Sequence, residues 1–439
     1  AVGRAHHLTL AASVGEPHDV ASVGAPDRVA VAGAERGGDA RAKHRAAPHA
    51  PRSPVPAWEE TLRAPQSEAR PVSRLPVPRV RAQAAIIFDP VSGETLWEVS
   101  TGDYSDGLGH AHPALIADGK VVLGFAGGDK TARGLVVAHD AETGDHLWTT
   151  YTVPEPGDPE YDTWGEQEVP PLGGLTWGTI SYDPELGLIY LGTGQPTPWA
   201  STLRGPGDAL YTNAILALDI DTGDIEWHFQ VVHSDQWNYD LPNVPMVVDL
   251  EVDGREIPSV IQTTKHGLQF AFNRETGEPI WRIEEVPVAQ TVVPGNWTSA
   301  TQPVPTRPEP TESFGLPEED LIDFTPELRE QAMELIGDYR IGGPFMPRLY
   351  EDHNTGVEDN IRCYGVGLNI PSPATIDPTT GILYVPSTKT CSGGSLAPGA
   401  LSDEPDNPAT TGTTLSQWVA GPGGGLPRVE GLRAWKPPY

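Results

Sequence analysis

The clearest pattern in the chain is a short apolar run followed by a polar turn and a tryptophan. The runs AAIIF, GLVVA, AILAL and QFAF lead into FDPVSGETLW, HDAETGDHLW, LDIDTGDIEW and FNRETGEPIW. In each copy an aspartate or asparagine, a glycine and a tryptophan stand at equal steps of four residues, as in Asp89, Gly93 and Trp97. The copies recur at intervals of about 50 to 80 residues, a spacing typical of the blades of a β-propeller.

Each copy is predicted to form a strand, a tight turn and a second strand. The aspartate begins the turn because its carboxylate accepts a hydrogen bond from the backbone two residues on. The glycine supplies the positive φ angle that ends the turn. The tryptophan is expected to pack between adjacent sheets and to donate its indole N–H to a carbonyl group of the neighbouring sheet. Two further hairpins, YDPELGLIYLGTG and IDPTTGILYVPS, share the turn but lack the tryptophan.

These repeats predict an all-β fold in which residues 84–439 form one propeller domain. An ordinary meander sandwich with coincidental repeats is the alternative. One segment has a helical pattern, because Thr325 can cap a helix and Pro326 suits its first position. We expect this helix to be an insertion on the rim of the propeller. Its predicted apolar stripe consists of Leu328, Ala332, Leu335 and Ile336.

Residues 1–83 differ from the rest of the chain. They are rich in alanine, arginine, proline, valine and histidine, and basic residues outnumber acidic ones. Because the segment has no apolar period, we predict that it is disordered or anomalous and lies outside the propeller domain.

The composition narrows the classes of function. The formal net charge is −31, and so acidic a surface repels phosphate backbones and argues against nucleic-acid binding. No apolar run of about 18 residues occurs, so no membrane-spanning helix is predicted. The two cysteines, Cys363 and Cys391, fit no zinc-binding spacing. One disulfide and two separate thiols both remain open.

Five longer stretches agree in order with one known family. They are LTWGTISYDPELGLIYLGTGQPTPW, GDALYTNAILALDIDTGDIEWHFQVVHSDQWNYDLPN, TKHGLQFAFNRETGEPIW, TQPVPTRPEP and WKPPY. In these stretches the chain resembles the quinoprotein alcohol and glucose dehydrogenases, which use pyrroloquinoline quinone (PQQ), and it is most similar to the membrane glucose dehydrogenase branch. The resemblance covers roughly residues 84–439. It implies an eight-bladed β-propeller, of which this sequence would be an incomplete fragment of about five blades.

The resemblance also implies a function. Family members oxidise a sugar or alcohol hydroxyl by passing hydride to PQQ, while Ca²⁺ acts as a Lewis acid on a quinone oxygen. The electron acceptor would be ubiquinone or a cytochrome, and this sequence has no CxxCH haem motif of its own. The implied location is periplasmic or extracytoplasmic, with any membrane association through segments outside this sequence. A non-catalytic propeller that serves as a scaffold or binding module is the alternative.

Five positions match cofactor or metal residues of the family. Trp177 matches the aromatic residue on which the flat quinone stacks, and Lys265 matches the positively charged residue that hydrogen-bonds the quinone oxygens. Asn369 matches an asparagine near the cofactor. Asp129 matches a glutamate that ligates calcium at the cofactor, with a side chain one methylene shorter. Gln195 stands where the family usually has an asparagine ligand, so the metal ligand there remains an amide oxygen.

The sixth matched position departs most from the family. Asn238 stands where the family has its catalytic aspartate, and an amide can ligate calcium but cannot accept a proton. We therefore expect weaker calcium binding. Asp235 and Asp240 are the nearby carboxylates that could act as the base. Side chains alternate in an extended segment, so Asp240 shares a face with Asn238 and is the predicted replacement. The alternative is that both aspartates are solvated acids on the rim.

Overall fold

The computed structural model describes most of the chain after residue 81 and one short stretch before it. The described residues are 9–12, 82–103, 107–127, 132–166, 170–197, 201, 204–311, 315–337, 339–347, 349, 359–365, 374–386, 389–393, 396–398, 418–420, 428–429 and 432–433.

Strands dominate the described residues. In chain order they are β1 (Thr9–Ala12), β2 (Ala82–Phe88), β3 (Thr95–Asp103), β4 (Leu115–Ala117), β5 (Lys120–Gly124), β6 (Leu135–Asp140), β7 (His146–Tyr151), β8 (Leu172–Gly173), β9 (Ser181–Asp183), β10 (Leu188–Gly192), β11 (Pro196–Thr197), β12 (Ala214–Asp219), β13 (Ile225–Gln230), β14 (Met246–Val252), β15 (Arg255–Thr263), β16 (Gln269–Asn273), β17 (Ile283–Pro287), β18 (Thr301–Pro305), β19 (Tyr339–Arg340), β20 (Asp359–Gly365), β21 (Thr375–Asp377), β22 (Ile382–Tyr384), β23 (Lys389–Gly393), β24 (Leu396–Pro398), β25 (Trp418–Ala420), β26 (Arg428–Val429) and β27 (Leu432–Arg433). An α-helix, α1, spans Pro326–Ile336, and short 3-10 helices span Pro159–Trp164 and Glu318–Asp320.

The sheets are small antiparallel meanders, as the repeats predict. Two of them have four strands, in the orders β4-β5-β6-β7 and β13-β12-β10-β9, and β14-β15-β16 form a three-stranded sheet. Their central strands are almost wholly buried, because apolar residues occupy both faces of β10 and β12. This arrangement is typical of blades that pack face to face, and it confirms the predicted all-β propeller class.

The turn of each repeat forms as predicted. Asp140 Oδ1 accepts hydrogen bonds from the backbone N–H groups of Glu142 and Thr143, at 2.9 and 2.8 Å. The N–H of Gly144 then donates to the carbonyl of Asp140 at 2.9 Å and closes the turn. The same bonds form at Asp89, Asp219 and Asn273.

The tryptophans join each sheet to the next. The indole Nε1 atoms of Trp97, Trp148 and Trp227 donate to the carbonyl oxygens of Ala141, Ile220 and Arg274, at 3.0, 3.0 and 3.1 Å. Each ring also lies against the turn glycine of the following repeat. A Cβ added to Gly223 would stand 2.6 Å from two ring carbons of Trp148. The glycine is therefore needed twice, for its positive φ and for the space that the ring occupies.

Replacing Gly223 by alanine is expected to destabilise the protein more than the same change at Gly187. Both glycines close an aspartate turn with positive φ, at 77° and 67°, so both substitutions incur a left-handed backbone cost of about 1 kcal/mol. Nothing lies within 4 Å of an added Cβ at Gly187, whereas Gly223 faces the Trp148 ring. The overpacking should cost about 1 to 3 kcal/mol more. Urea unfolding of the two variants measures this, and equal losses would contradict the docking argument.

Helix α1 begins where the sequence predicts. Thr325 Oγ1 accepts the N–H of Leu328 at 3.2 Å, and Pro326 occupies the first helical position. Ala332 and Ile336 are buried, but Leu335 is 37% exposed, so the predicted stripe is wrong at that residue. At about 100° per residue, Leu335 lies at the edge of the buried face rather than at its centre.

The first strand lies inside the segment predicted to have little folded structure. Strand β1 pairs antiparallel with β2, with Thr9 opposite Phe88. Residues 15–80 lie outside the described residues, so the prediction for them stays a prediction.

The two cysteines lie on paired strands. Strand β20 pairs antiparallel with β23, and Cys363 is the direct register partner of Cys391. Their side chains lie outside the described residues, so one disulfide and two separate thiols both stay predictions. Within the described residues, no helix is long and apolar enough to span a bilayer.

Candidate cofactor and metal site

Three separate segments bring predicted site residues together. Trp177 lies in the loop after β8, Asp240 in the loop between β13 and β14, and Lys265 in the turn between β15 and β16. Trp177 Nε1 donates a hydrogen bond to Asp240 Oδ2 at 2.7 Å. Lys265 Nζ lies 3.5 Å from Asp240 Oδ1 and 5.2 Å from the centre of the Trp177 ring. An aromatic face, a carboxylate and an ammonium therefore meet at one place.

The Lys265 ammonium also faces Asn238. Its Nζ donates to Asn238 Oδ1 at 3.5 Å, the same distance that separates it from Asp240 Oδ1. The lysine is only 7% exposed and Asp240 only 4%, so bulk water screens this cluster poorly. Two oxygens from one loop thus converge on a single cationic group.

These oxygens suit a hard metal ion. Asp240 Oδ1 is buried and accepts no hydrogen bond from the described residues, and it forms an ion pair with the Lys265 ammonium at 3.5 Å. A carboxylate oxygen with unused acceptor capacity beside an amide oxygen belongs to the ligand class that Ca²⁺ and similar ions prefer. The donor set therefore fits a metal ion.

The turn that contains Gln195 packs on the same cluster. A Cβ added to its neighbour Gly194 would lie 3.1 Å from Asp240 Oδ2 and 3.4 Å from Trp177 Nε1. A side chain at position 194 would therefore crowd this hydrogen bond. Gln195 itself is 4% exposed. The structure thus brings the turn that contains Gln195 next to Asp240 and Trp177.

The loop reaches this arrangement differently from the sequence prediction. Asn238 has a φ of 66° and is exposed, while Asp240 is buried, so the segment is not extended and its residues do not share a face by alternation. Their oxygens converge because a left-handed residue bends the chain at Asn238. Asparagine tolerates this conformation better than most residues. The alternation argument for Asp240 is therefore wrong, although the oxygens of Asn238 and Asp240 both lie 3.5 Å from Lys265 Nζ. The role of Asp240 as the base stays a prediction.

Asp235 is fully buried and has its own hydrogen-bond donors. Its carboxylate accepts the backbone N–H groups of Trp237 and Tyr239, both at 2.7 Å. Burial raises the pKa of this carboxyl, although the hydrogen bonds oppose the shift. Nearby, burial lowers the pKa of the Arg204 guanidinium to about 10. Since Asp235 and Asp240 are both buried, the alternative of two solvated rim acids is wrong.

Two predicted residues cannot be placed. Asp129 and Asn369 lie outside the described residues, so their proposed contacts with metal and cofactor stay predictions.

A buried histidine supports the site loop and was not predicted from the sequence. The His266 ring stacks on Tyr239 with a centroid separation of 4.9 Å, directly beside the Asn238 bend. Burial lowers the pKa of His266 to about 3. The histidine follows Lys265 in the chain, but no local pattern indicates that it packs beneath Tyr239.

Acid is expected to destabilise the native protein partly through His266. The unfolded chain binds a proton on this histidine below about pH 6.5, whereas the folded state resists until about pH 3, so stability is lost as the pH falls between these values. At pH 4.5 the loss should be roughly 2 to 3 kcal/mol relative to pH 7. Replacement of His266 by phenylalanine keeps an aromatic ring on Tyr239 and should remove most of that loss.

Urea unfolding at pH 7 and pH 4.5 measures the effect as a difference between the wild type and the variant. Replacement of the exposed His146 by phenylalanine is the control and should change the acid sensitivity much less than His266→Phe does. Equal acid sensitivity in the wild type and in His266→Phe would contradict the assignment.

Comparison with known proteins gives one family. A sequence model described as the glucose/ethanol/alcohol dehydrogenase β-propeller domain, of the PQQ type, matches residues 92–439. The quinohemoprotein alcohol dehydrogenase ADH IIB of Pseudomonas putida is 35% identical over 210 residues, which are 44% of this chain and 30% of that protein. A lanthanide-dependent methanol dehydrogenase of Methylorubrum extorquens is 27% identical over 363 residues, which are 78% of this chain and 54% of that protein.

Solved structures agree on the fold. The quinohemoprotein alcohol dehydrogenase ADHIIG of Pseudomonas putida HK5 matches with a TM-score of 0.52 and 24% identity over 77% of this chain and 45% of that one. A europium-containing methanol dehydrogenase matches with a TM-score of 0.50 and 22% identity over 77% of this chain and 53% of that one. The chain therefore spans about half, or less, of the length of these proteins.

Proposed function

Because the chain belongs to the glucose/ethanol/alcohol dehydrogenase family of β-propeller domains, we propose that it oxidises a hydroxyl group of a small organic molecule with bound PQQ. The proposal rests on one observation: Trp177, Asp240 and Lys265 come from three distant segments and meet at one buried place. An aromatic floor and a cation are what a planar quinone that accumulates negative charge requires.

We propose an alcohol as the first substrate class to test. The relatives compared above are named as alcohol and methanol dehydrogenases, which supports this choice. The similarity to the glucose dehydrogenase branch seen in the sequence keeps sugars as the second class, and that narrower assignment stays a prediction.

We propose a metal ion held by Asp240, Asn238 and Gln195, with Asp129 as a further ligand. Calcium is the ion that the sequence predicts, and the names of two similar proteins add a lanthanide as a second candidate. Both ions prefer hard oxygen ligands. Relative to the family pattern, the asparagine at position 238 removes one negative charge from the proposed metal ligands. The buried carboxylate of Asp240 contributes a negative charge to the same ligands.

The chain's own residues would have separate tasks. When bound, PQQ would accept the hydride and the metal ion would polarise a quinone oxygen. Trp177 would support one face of the cofactor, with its orientation fixed by the hydrogen bond to Asp240. Lys265 would place a positive charge beside the quinone oxygens. Asp240 would accept the proton of the substrate hydroxyl, since among the described residues it is the carboxylate that contacts both Trp177 and Lys265.

We further propose a quinone or a cytochrome as electron acceptor and an extracytoplasmic location. A disulfide between Cys363 and Cys391, which stays a prediction, would fit this location, because disulfides persist in oxidising compartments.

A non-catalytic propeller is the second candidate. Asn238 favours it, because an exposed asparagine occupies the position where the family has its base. In that case the chain could bind PQQ without turning over substrate.

Reconstitution distinguishes the two candidates. The purified chain would be incubated with PQQ and either Ca²⁺ or La³⁺, and reduction of an artificial dye would be followed with primary alcohols and with glucose. We expect dye reduction that requires PQQ, metal and substrate together and that is lost in Lys265→Met. Lys120→Met is the control and should keep the activity, because Lys120 pairs with the exposed Asp221. Bound PQQ without dye reduction would support the non-catalytic candidate, and the absence of both would contradict the proposed function.

A further inference from the structure

The bend at Asn238 is held by the carboxylate of Asp235. This carboxylate accepts the N–H groups of Trp237 and Tyr239, the two residues that flank Asn238. Asn238 is in the left-handed region, which is sparsely populated even for asparagine and persists only where neighbouring contacts hold it. The two hydrogen bonds, one on each side, therefore determine where the Asn238 and Asp240 oxygens lie.

Asn213 ties the same carboxylate to the turn that contains Gln195. Its Nδ2 donates to Asp235 Oδ2 at 2.9 Å, and its backbone N–H donates to the carbonyl of Gly194 at 3.0 Å. Asn213 and Asp235 are both fully buried, so water competes for neither bond. One residue thus connects the two segments that contain candidate metal ligands.

Burying this carboxylate has a cost that nearby groups reduce. An ionised group taken out of water loses several kcal/mol of solvation free energy unless it is paired and hydrogen-bonded. Here two backbone N–H groups and an amide donate to Asp235, and the buried guanidinium of Arg204 donates to its carbonyl at 3.0 Å. Arg204, Asn213 and Asp235 all lie in loops rather than in strands. Their hydrogen bonds therefore order the loops around the site.

We infer that Asn213 and Asp235 are a positioning pair that sets the distance between the Gln195 turn and the Asn238–Asp240 loop. The inference rests on the proposed function, because it assumes that these two segments share one metal ion. Ligands must be held within about 0.5 Å of productive geometry, and partners that orient ligands typically change metal affinity by about 10- to 100-fold. Neither residue touches the metal in this arrangement, so both act through the loops that they join.

Two substitutions break the pair in different places. Asp235→Asn keeps the side-chain shape, but its NH₂ group cannot accept, so at least one of the three donors loses its acceptor. Asn213→Ala leaves both bonds to the bend and the backbone bond to Gly194 intact and removes the side-chain bond between Asn213 and Asp235. Because Asn213 has a φ of 48°, alanine also adds about 1 kcal/mol of backbone strain, which the measurement below each variant's melting temperature takes into account. Asp183→Asn is the matched control, since Asp183 is also a buried aspartate and lies at the opposite end of β10 from Gln195. It accepts a hydrogen bond from Arg274 at 2.5 Å.

The test is titration of the full chain with Tb³⁺, followed by the terbium emission that nearby tryptophan excitation sensitises. Each variant is measured at least 15 °C below its own melting temperature, a margin of the order expected to separate local from global effects. We expect Asp235→Asn and Asn213→Ala to weaken Tb³⁺ binding by about 10- to 100-fold. Asp183→Asn should lose thermal stability while it keeps the wild-type affinity.

The outcomes separate the two claims. If the wild type shows no saturable Tb³⁺ emission, the metal site of the proposed function is wrong and the positioning pair with it. If the wild type binds and the two variants bind equally well, only the positioning pair is wrong. An equal loss of affinity in Asp183→Asn would mean that the effect is general destabilisation, which also overturns the inference.

Discussion

Replacement of Asp240 by asparagine is expected to lower kcat for alcohol oxidation by about 10²- to 10⁴-fold, the contribution typical of a positioned general base. The amide is isosteric with the carboxylate and its oxygen can still accept the Trp177 N–H, so the ring should keep its place. What the substitution removes is the buried negative charge beside Lys265 and the only described carboxylate that touches both Trp177 and Lys265. Steady-state kinetics on the reconstituted protein measure the effect.

The control for Asp240→Asn is Asp224→Asn, an exposed turn aspartate whose replacement should leave kcat unchanged. Fluorescence titration with PQQ should accompany the kinetics, because a loss of cofactor alone would also lower the rate. A variant that binds PQQ normally and turns over at the wild-type rate would show that Asp240 is not the base.

Replacement of Asn238 by aspartate is expected to tighten metal binding by about tenfold or more and to raise kcat. The Asn238 and Asp240 oxygens lie at the same distance from Lys265 Nζ, so a carboxylate at position 238 would add its negative charge beside Asp240, at the proposed metal site. An added charge at about 4 Å contributes roughly 1 to 4 kcal/mol in media of intermediate to high dielectric constant, and 1.4 kcal/mol is a factor of ten. Aspartate also tolerates the left-handed conformation of this position.

The double variant of these two positions gives a sharper comparison. With aspartate at 238 and asparagine at 240, the carboxylate moves to the family position, and activity should recover by about 10²-fold over Asp240→Asn alone. Calorimetric titration with Ca²⁺ and La³⁺ reports the metal affinities. An unchanged dissociation constant in Asn238→Asp would remove this residue from the metal ligands.

The sheet architecture could be predicted because its signals are local. The turn at Asp140, the positive φ of Gly144 and the indole bond of Trp97 depend on residue types at fixed spacing, and all three form as expected. The acceptor of the Trp97 indole N–H is the carbonyl of Ala141, which lies in the turn of the following repeat, where each tryptophan ring packs. The exposure of Leu335 was not predicted, because the sequence pattern does not distinguish an apolar residue at the edge of a helical stripe from one at its centre.

The candidate site could be predicted as a set of residues but not as a geometry. The resemblance identified Trp177 and Lys265, and the structure brings them together with Asp240. The left-handed bend at Asn238 was not predictable, because asparagine adopts many conformations and the alternation rule assumes an extended chain. The bond between Asn213 and Asp235 joins residues from different loops, and no pattern along the sequence indicates such a pair.

Equilibrium dialysis with PQQ tests the cofactor site most directly. In the presence of Ca²⁺ or La³⁺ the account predicts saturable binding of about one PQQ per chain, weakened at least 100-fold in Trp177→Ala through loss of the stacking surface, and unchanged in Lys120→Met. Absence of saturable binding, or equal affinity in the wild type and Trp177→Ala, would contradict the claim that these converging residues form a quinone site.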